Sequence, residues 1–359
     1  MTLQPRFRWS AAMIKVVAYG LFYSGLLALF NRFVNRFEIQ RSIGTEPTFP
    51  FVQRRTRRNV QILTYHRVND EYDPFFPAVP SPVFARQMEY LADYFRVCSL
   101  GEAVERLQSG DIPENLLVIT FDDGYHDNYL HAFPILKKFS LPATVFLATE
   151  AIGSRKCLWH DQVFSAFRET TEPCLRGYGR DMPDYPLKTQ QERLYAQLAV
   201  LQFLRSVDND EREGWINRLA TVLGTERSEK KSRLMLNWDE VRIMHKQGIA
   251  FGSHTLTHPI LSKLSPEKIM REICQPKKVI KQHLGVEPNT FAYPNGSSND
   301  FTPQIKRTIQ DAGYTCAVTT IFGVNTPGQD LFELRRGGPW ETHLPTFATK
   351  LNWYKLASS

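Results

Sequence analysis

The chain has no close pair of cysteines, no internal repeat, no low-complexity tract and no uninterrupted apolar run of bilayer length. Its five cysteines, at 98, 157, 174, 274 and 316, are odd in number and scattered. That argues against a disulfide framework, and reduced thiols of this kind lean towards a cytoplasmic location. The longest uninterrupted apolar stretch, Val16–Phe30, has fifteen residues, where a spanning helix needs ~20. No small-residue cleavage site follows it, which argues against a removable leader. Acidic residues are almost missing from the first 60 positions: Glu38 and Glu46 stand against ten Lys and Arg. That region carries +8, so the rest of the chain sums to −1 of the net +7. Basicity confined in this way argues against a nucleic-acid groove in the main body and for contact with an anionic surface.

What is present begins with residues 11–30, apolar apart from Lys15 and small or polar interruptions. Three placements suit the segment: an uncleaved anchor, a helix lying in the membrane interface, and a helix packed on the protein. Phe30, Phe33, Val34 and Phe37 recur at helical spacing with Arg32 and Arg36 between them, a pattern of interfacial helices. Arg6, Arg8 and Lys15 precede the segment, and Arg32, Arg36, Arg41, Arg54, Arg55, Arg57 and Arg58 follow it. For a span, that bias leaves the main domain in the cytoplasm. The expected location is therefore membrane-associated on the cytoplasmic face, with a soluble cytoplasmic protein as the alternative.

From about residue 60 the chain alternates short β-branched runs with helical patterns. Expected strands are Val60–Tyr65, Phe95–Cys98, Leu116–Phe121, Thr144–Ala148, Ile249–Ser253, Thr290–Tyr293, Cys316–Thr319 and Phe332–Arg335. Expected helices include Pro82–Tyr94, Asn128–Phe139, Pro266–Leu284 and Thr302–Ala312. Such alternation implies an α/β fold with a mainly parallel sheet. Seven or eight units point to a distorted (β/α) barrel, with an open doubly wound sheet as the alternative. Residues 157–233 break the rhythm. They are polar and helical in pattern, Gln190–Leu204 most clearly, and too long for a βα connection. This is a helical insertion, either a lid or a packing decoration. The division is therefore 1–59 as an N-terminal segment and linker, 60–345 as the main domain containing the insertion, and 346–359 as a tail.

Two strand exits carry chemistry. Thr120-Phe121-Asp122-Asp123-Gly124 places adjacent carboxylates where alternation aims them in different directions, so that one can face a cation and the other a substrate. Ser253-His254-Thr255-Leu256-Thr257-His258-Pro259 offers two imidazoles four residues apart. With Asp123 they make three protein ligands and leave a position for water, the pattern of a catalytic zinc site. Trp159, Trp238 and Trp340 are candidates for stacking on sugar faces.

Together the two motifs resemble the polysaccharide deacetylases with a NodB homology domain (carbohydrate esterase family four). The run from Trp238-Asp239-Glu240-Val241 to Gly248 is similar to the one preceding their histidine motif. The resemblance implies a distorted (β/α) barrel, with Asp123, His254 and His258 as metal ligands and Asp122 as the base that activates water. Thr64-Tyr65-His66-Arg67 resembles the early Tyr-His element of the poly-N-acetylglucosamine deacetylase branch, which makes His66 the general acid, with His343 in reserve. Two departures stand out. Phe291-Ala292-Tyr293-Pro294-Asn295-Gly296 lacks the arginine of the family's third motif, with Ala292 in its place. Asn295 and Tyr293 remain as oxyanion support, and Arg335 or Arg336 as a substitute cation. The late Leu-x-His motif is also missing. The implied activity is metal-dependent removal of N-acetyl groups from N-acetylhexosamine residues of a glycan. The implied cofactor is a divalent ion, zinc by preference, and the implied partner is an acetylated glycan, to which the N-terminal charge adds an anionic membrane surface. The alternatives are a catalytically silent carbohydrate-binding protein on the same barrel and a metallohydrolase of another amide or ester.

Overall fold

The computed structural model describes residues 58–179, 182–225, 233–338 and 341–356. The expected N-terminal helix at 11–30 lies outside them, as does Trp340. Among the described residues no helix is long and apolar enough to cross a membrane.

The strands of the main sheet are short, apolar and buried: β1 Gln61–Tyr65, β2 Arg96–Val97, β3 Leu116–Phe121 and β4 Thr144–Leu147, then β7 Ala250–Ser253, β8 Thr290–Ala292 and β9 Cys316–Val318. All pair in parallel in the order β1-β3-β4-β7-β8-β9, with β2 beside the start of β3. The result is a parallel sheet curved into a half-barrel. Its two edges meet through residues 334–337, where Leu334 bridges Val318 and Gly337 bridges Leu63. The expected strand Phe332–Arg335 is thus replaced by two isolated bridges. The Asp330 side chain turns the chain there by accepting from Phe332 N–H.

Strand alternation sorts the side chains into two layers. Ile62, Val118, Phe146, Ala292, Val318 and Leu334 come from strands all round the sheet and meet in its interior. Leu63, Tyr65, Ile119, Phe121, Val145 and Leu147 face outwards, under the helix Ser81–Tyr94 and its neighbours. The helices start where their caps dictate. Ser99, Thr189, Asn237, Ser265 and Thr302 each accept from a backbone N–H one turn on. The expected helix Asn128–Phe139 begins instead with a π-helical turn, Asn128–Ala132, before the α-helix Phe133–Lys138. Pro134 has no N–H to donate to Leu130, so the ladder re-registers there, and Phe133 N–H reaches Asn128.

The inserted region has its own core. Helices Trp159–Glu169, Gln190–Ser206 and Asn209–Val222 pack Val163, Phe167, Val200, Leu204, Ile216 and Leu219 together. A small antiparallel pair, β5 Cys174–Leu175 and β6 Tyr185–Pro186, closes one side. The unit is fastened to the rim. Asn209 Nδ2 donates to Ile260 O (2.9 Å) and Lys263 O (3.3 Å), and Lys263 Nζ donates to Arg205 O (2.6 Å).

Phe146 fills the barrel interior against the backbone of Gly252, where an added Cβ would lie 2.5 Å from the ring and 2.6 Å from Thr290 Oγ1. Gly252→Ala should therefore destabilise the chain by about 1–3 kcal/mol, read as a lower urea midpoint. An unchanged midpoint would show that the interior relaxes freely around Phe146.

Candidate active site

The C-terminal ends of β3 and β7 bring Asp123, His254 and His258 together. Asp123 Oδ1 lies 3.4 Å from His254 Nε2 and 3.3 Å from His258 Nε2. One ligand atom from each of the three lies within 4.8 Å of the others, and all three residues are buried. The backbone must bend sharply to do this. Asp123 (φ +72°), Thr255 (φ +67°) and His258 (φ +60°) all sit in the left-handed region, which is costly for non-glycine residues and most so for β-branched threonine.

Hydrogen bonds hold the strained turns. Thr255 Oγ1 accepts from His258 N–H (3.1 Å) and donates to His254 O. Glu272 accepts from Leu256 N–H, Thr257 N–H and Thr257 Oγ1 at 2.8–2.9 Å, so one carboxylate from the helix Pro266–Leu284 braces the whole histidine loop. The Ala292 carbonyl accepts from His254 Nδ1 at 2.8 Å. That fixes the proton on Nδ1 and leaves the Nε2 lone pair facing Asp123.

The three residues fit a divalent cation. Asp123 Oδ1 is buried without a hydrogen-bond partner among the described residues. Burial, with the nearby charges of Asp122 and Asp161, drives the Asp123 carboxyl well above its ordinary range, as expected where a positive charge belongs. Burial also holds the His254 imidazole down at about 4 and the His258 imidazole well below its usual value. Both are thus neutral, the form that ligates a metal.

Asp122 points into the barrel mouth. Arg336 donates to both of its oxygens, Nη1 to Oδ1 (2.8 Å) and Nη2 to Oδ2 (2.7 Å), with Nε on Thr319 O and Nη1 also on Thr120 Oγ1. Burial alone would raise the Asp122 pKa. The Arg336 guanidinium, with the imidazoles of His254 and His66, overrides it and brings the carboxyl to about 2. The cation lacking at Ala292 therefore comes from the segment that joins the sheet edges. Arg335, its neighbour, faces outwards and is exposed.

His66 follows β1, and its Nε2 lies 3.9 Å from Asp122 Oδ2, with the side chain about one-third exposed. Its loop is pinned by buried Asp127, which accepts from Arg67 Nε (2.7 Å) and Asn69 Nδ2 (2.8 Å), and by Asn128 Nδ2 donating to His66 O. His343 is placed elsewhere, at the start of the helix Leu344–Leu356, with Nδ1 2.9 Å from Thr346 Oγ1. The Tyr293 side chain faces the outer core, stacked on Phe301, with its hydroxyl on Phe332 O. Asn295 follows at φ +59°, with its Nδ2 buried and without a partner among the described residues.

The fold adds residues that the sequence reading did not pick out. The inserted helix Trp159–Glu169 sends His160 to the site. Its ring lies 4.9 Å from that of His258, and its Nε2 is 3.9 Å from Asp123 Oδ2 and 3.0 Å from Tyr125 Oη. Tyr125 gives its single proton to Asp161 Oδ1 at 2.9 Å, so His160 is the donor to Tyr125 through Nε2–H. Burial holds the His160 imidazole at about 3. A lone histidine in Trp159-His160-Asp161 carries no spacing signal, and only the docking of the insertion reveals it.

Comparison with known proteins agrees with this geometry. The pattern of the polysaccharide deacetylase family matches residues 109–317. A putative polysaccharide deacetylase of Bacillus subtilis is 22% identical over 293 residues, covering 81% of this chain and 75% of the relative. The poly-beta-1,6-N-acetyl-D-glucosamine N-deacetylase of Staphylococcus epidermidis is 27% identical over 208 residues, covering 53% of this chain and 70% of the relative. Among solved structures, IcaB from Ammonifex degensii superposes with a TM-score of 0.53 at 21% identity, over 83% of this chain and 97% of its own. The Streptococcus pyogenes deacetylase PplD superposes with 0.53 at 19%, over 79% and 92%. At such identities the superpositions speak for the fold alone.

Removing Arg336 would leave a buried carboxylate without its cation. Arg336→Met should cost about 3–5 kcal/mol, whereas exposed Arg335→Met should stay within about 0.5 kcal/mol. Urea unfolding of the two variants compares them directly. Equal midpoints would mean that the Asp122 pair contributes nothing to stability.

Proposed function

The chain belongs to the polysaccharide deacetylase family, hydrolases of N-acetyl amide bonds, and from that premise we propose that it removes N-acetyl groups from N-acetylhexosamine residues of a glycan with the help of a divalent ion. One observation carries the reading: the Asp123–His254–His258 cluster lies beside a carboxylate that Arg336 clamps and that His66 approaches. Asp123, His254 and His258 would hold the ion, and two imidazoles with one carboxylate suit zinc. When bound, it supplies Lewis acidity, lowering the pKa of a water and polarising the acetamide carbonyl.

The remaining work falls to the chain's own groups. Asp122, ionised at neutral pH and held in one orientation by the two Arg336 nitrogens, accepts the proton of the attacking water. His66 Nε2, at the end of the neighbouring strand and beside Asp122, gives a proton to the departing amine nitrogen. The Asn295 backbone N–H, in the turn after β8, supports the developing oxyanion. Because a cation is supplied to Asp122 from residue 336, the alanine at position 292 is no obstacle to catalysis. The apolar segment 11–30, with the basic residues that flank it, supports attachment to an anionic membrane surface, with the catalytic domain 60–345 on the cytoplasmic side.

Acetate release from acetylated β-linked glucosamine oligomers tests the reading. Asp122→Asn should lower kcat by about 10²–10⁴-fold while elemental analysis still finds one ion per chain. Near-normal turnover would remove Asp122 as the base. His258→Ala should lose the ion and turnover together. A chelator should silence the native enzyme and added zinc restore it, and activity that ignores the chelator would sink the metal assignment.

A further inference from the structure

The ligands of the cation cluster are held in different ways. His254 has its Nδ1 tied to Ala292 O, and Glu272 braces the loop that follows it. Asp123 sits at φ +72°, a costly conformation for a non-glycine residue, and its Oδ1 has no hydrogen-bond partner among the described residues. His258 Nδ1 is likewise buried without a partner among them, although an imidazole that ligates a metal ordinarily gives its second N–H to an acceptor. Contacts of another kind must keep Asp123 and His258 turned towards the point they share with His254.

The inserted helix Trp159–Glu169 supplies those contacts. Tyr125, two residues after Asp123, is fully buried, and adjacent residues of that helix grip its hydroxyl. The hydroxyl donates to Asp161 Oδ1 at 2.9 Å and accepts from His160 Nε2–H at 3.0 Å. Asp161 is itself fixed, because its Oδ2 accepts from Leu158 N–H (3.1 Å) at the start of the helix. The backbone of the same turn is held separately, by Leu236 N–H donating to Gly124 O at 2.9 Å and by the bridge between Tyr125 and Met235. His160 also lies edge-on to the His258 ring, with 4.9 Å between centroids at 69°. One side chain of the insertion therefore meets both ligands that lack a brace of their own.

His160 is not a fourth ligand. The atoms that converge within 4.8 Å come from Asp123, His254 and His258, while His160 Nε2 faces Tyr125 and lies 3.9 Å from the other Asp123 oxygen, Oδ2. A nitrogen that donates to a hydroxyl carries a proton where a metal ligand needs a lone pair. We propose that His160 is a positioning residue for the cation site: by giving its Nε2–H to Tyr125 it locks the Asp123 turn to the inserted helix, so that the insertion sets how tightly the ion is held. The inference rests on the cation assignment made above and adds a part for the insertion.

Zinc affinity of the full-length chain, measured by competition with a chromophoric chelator, tests this role without any need for turnover. His160→Leu fills the same space without a donor and should weaken zinc binding about tenfold. His160→Gln, whose amide N–H replaces the lost donor, should stay within about threefold of the native affinity. Zinc held as tightly by His160→Leu as by the native chain, or as weakly by His160→Gln as by His160→Leu, would overturn the role. Tyr125→Phe, which removes the acceptor and keeps the ring, gives the same test should His160→Leu fail to fold. It should also lose about tenfold in affinity, and native affinity there would equally overturn the role. A native chain that takes up no zinc would overturn this inference together with the cation assignment. Zinc uptake that follows the variants in this order, without acetate release, supports it and removes only the deacetylase reading.

Discussion

The ion pair between Asp122 and Arg336 is the contact on which the rest of the structure turns. Both side chains are almost fully buried, at 2% and 1% exposure, and a buried charge persists only where a partner and further hydrogen bonds satisfy it. Arg336 meets that condition by reaching Thr319 O, Thr120 Oγ1 and both oxygens of Asp122. It can do so only because residues 334–337 bridge β9 to β1. One interaction therefore joins the edges of the half-barrel and orients the carboxylate that faces the cation cluster.

Around this pair the site stores backbone strain, and the surroundings hold it in place. Left-handed residues at Asp123, Thr255 and His258 turn three side chains towards one point. Glu272 restrains the histidine loop from the side of the helix Pro266–Leu284, while Asp127 gathers Arg67, Asn69 and Asn128 beneath His66. Such bracing is what preorganised sites require, since a cluster aimed at one ion loses its geometry if its loops drift. The insertion belongs to the same scheme. His160 and Tyr125 link it to the carboxylate turn, and Asn209 links it to the histidine loop.

Much of this was legible in the chain. Buried parallel strands are short apolar runs, so the strands from Gln61–Tyr65 to Cys316–Val318 stood out, with boundaries shifted by only a residue or two. The helices expected at Pro266–Leu284 and Thr302–Ala312 are found at Pro266–Leu284 and Pro303–Asp311. Periodicity marked Phe332–Arg335 as a strand where the chain pairs only through isolated bridges at Leu334 and Gly337, and it missed the π-turn before Pro134, which reflects a missing N–H rather than a hydrophobic pattern. The family's motifs brought Asp122, Asp123, His254, His258 and His66 forward as candidates. The Tyr293 ring turns to the outer core, as alternation after β8 requires.

The sequence by itself determined the strand–helix alternation and the residue types at the strand exits. Local spacing and side-chain chemistry suffice for these. Only the tertiary structure decided which of two adjacent arginines holds Asp122, and that His160 approaches the cluster from an insertion. Each of these depends on contacts between segments separated by tens to hundreds of residues. No local pattern encodes such distances, because they arise only once burial has closed the sheet and docked the inserted helices against its rim.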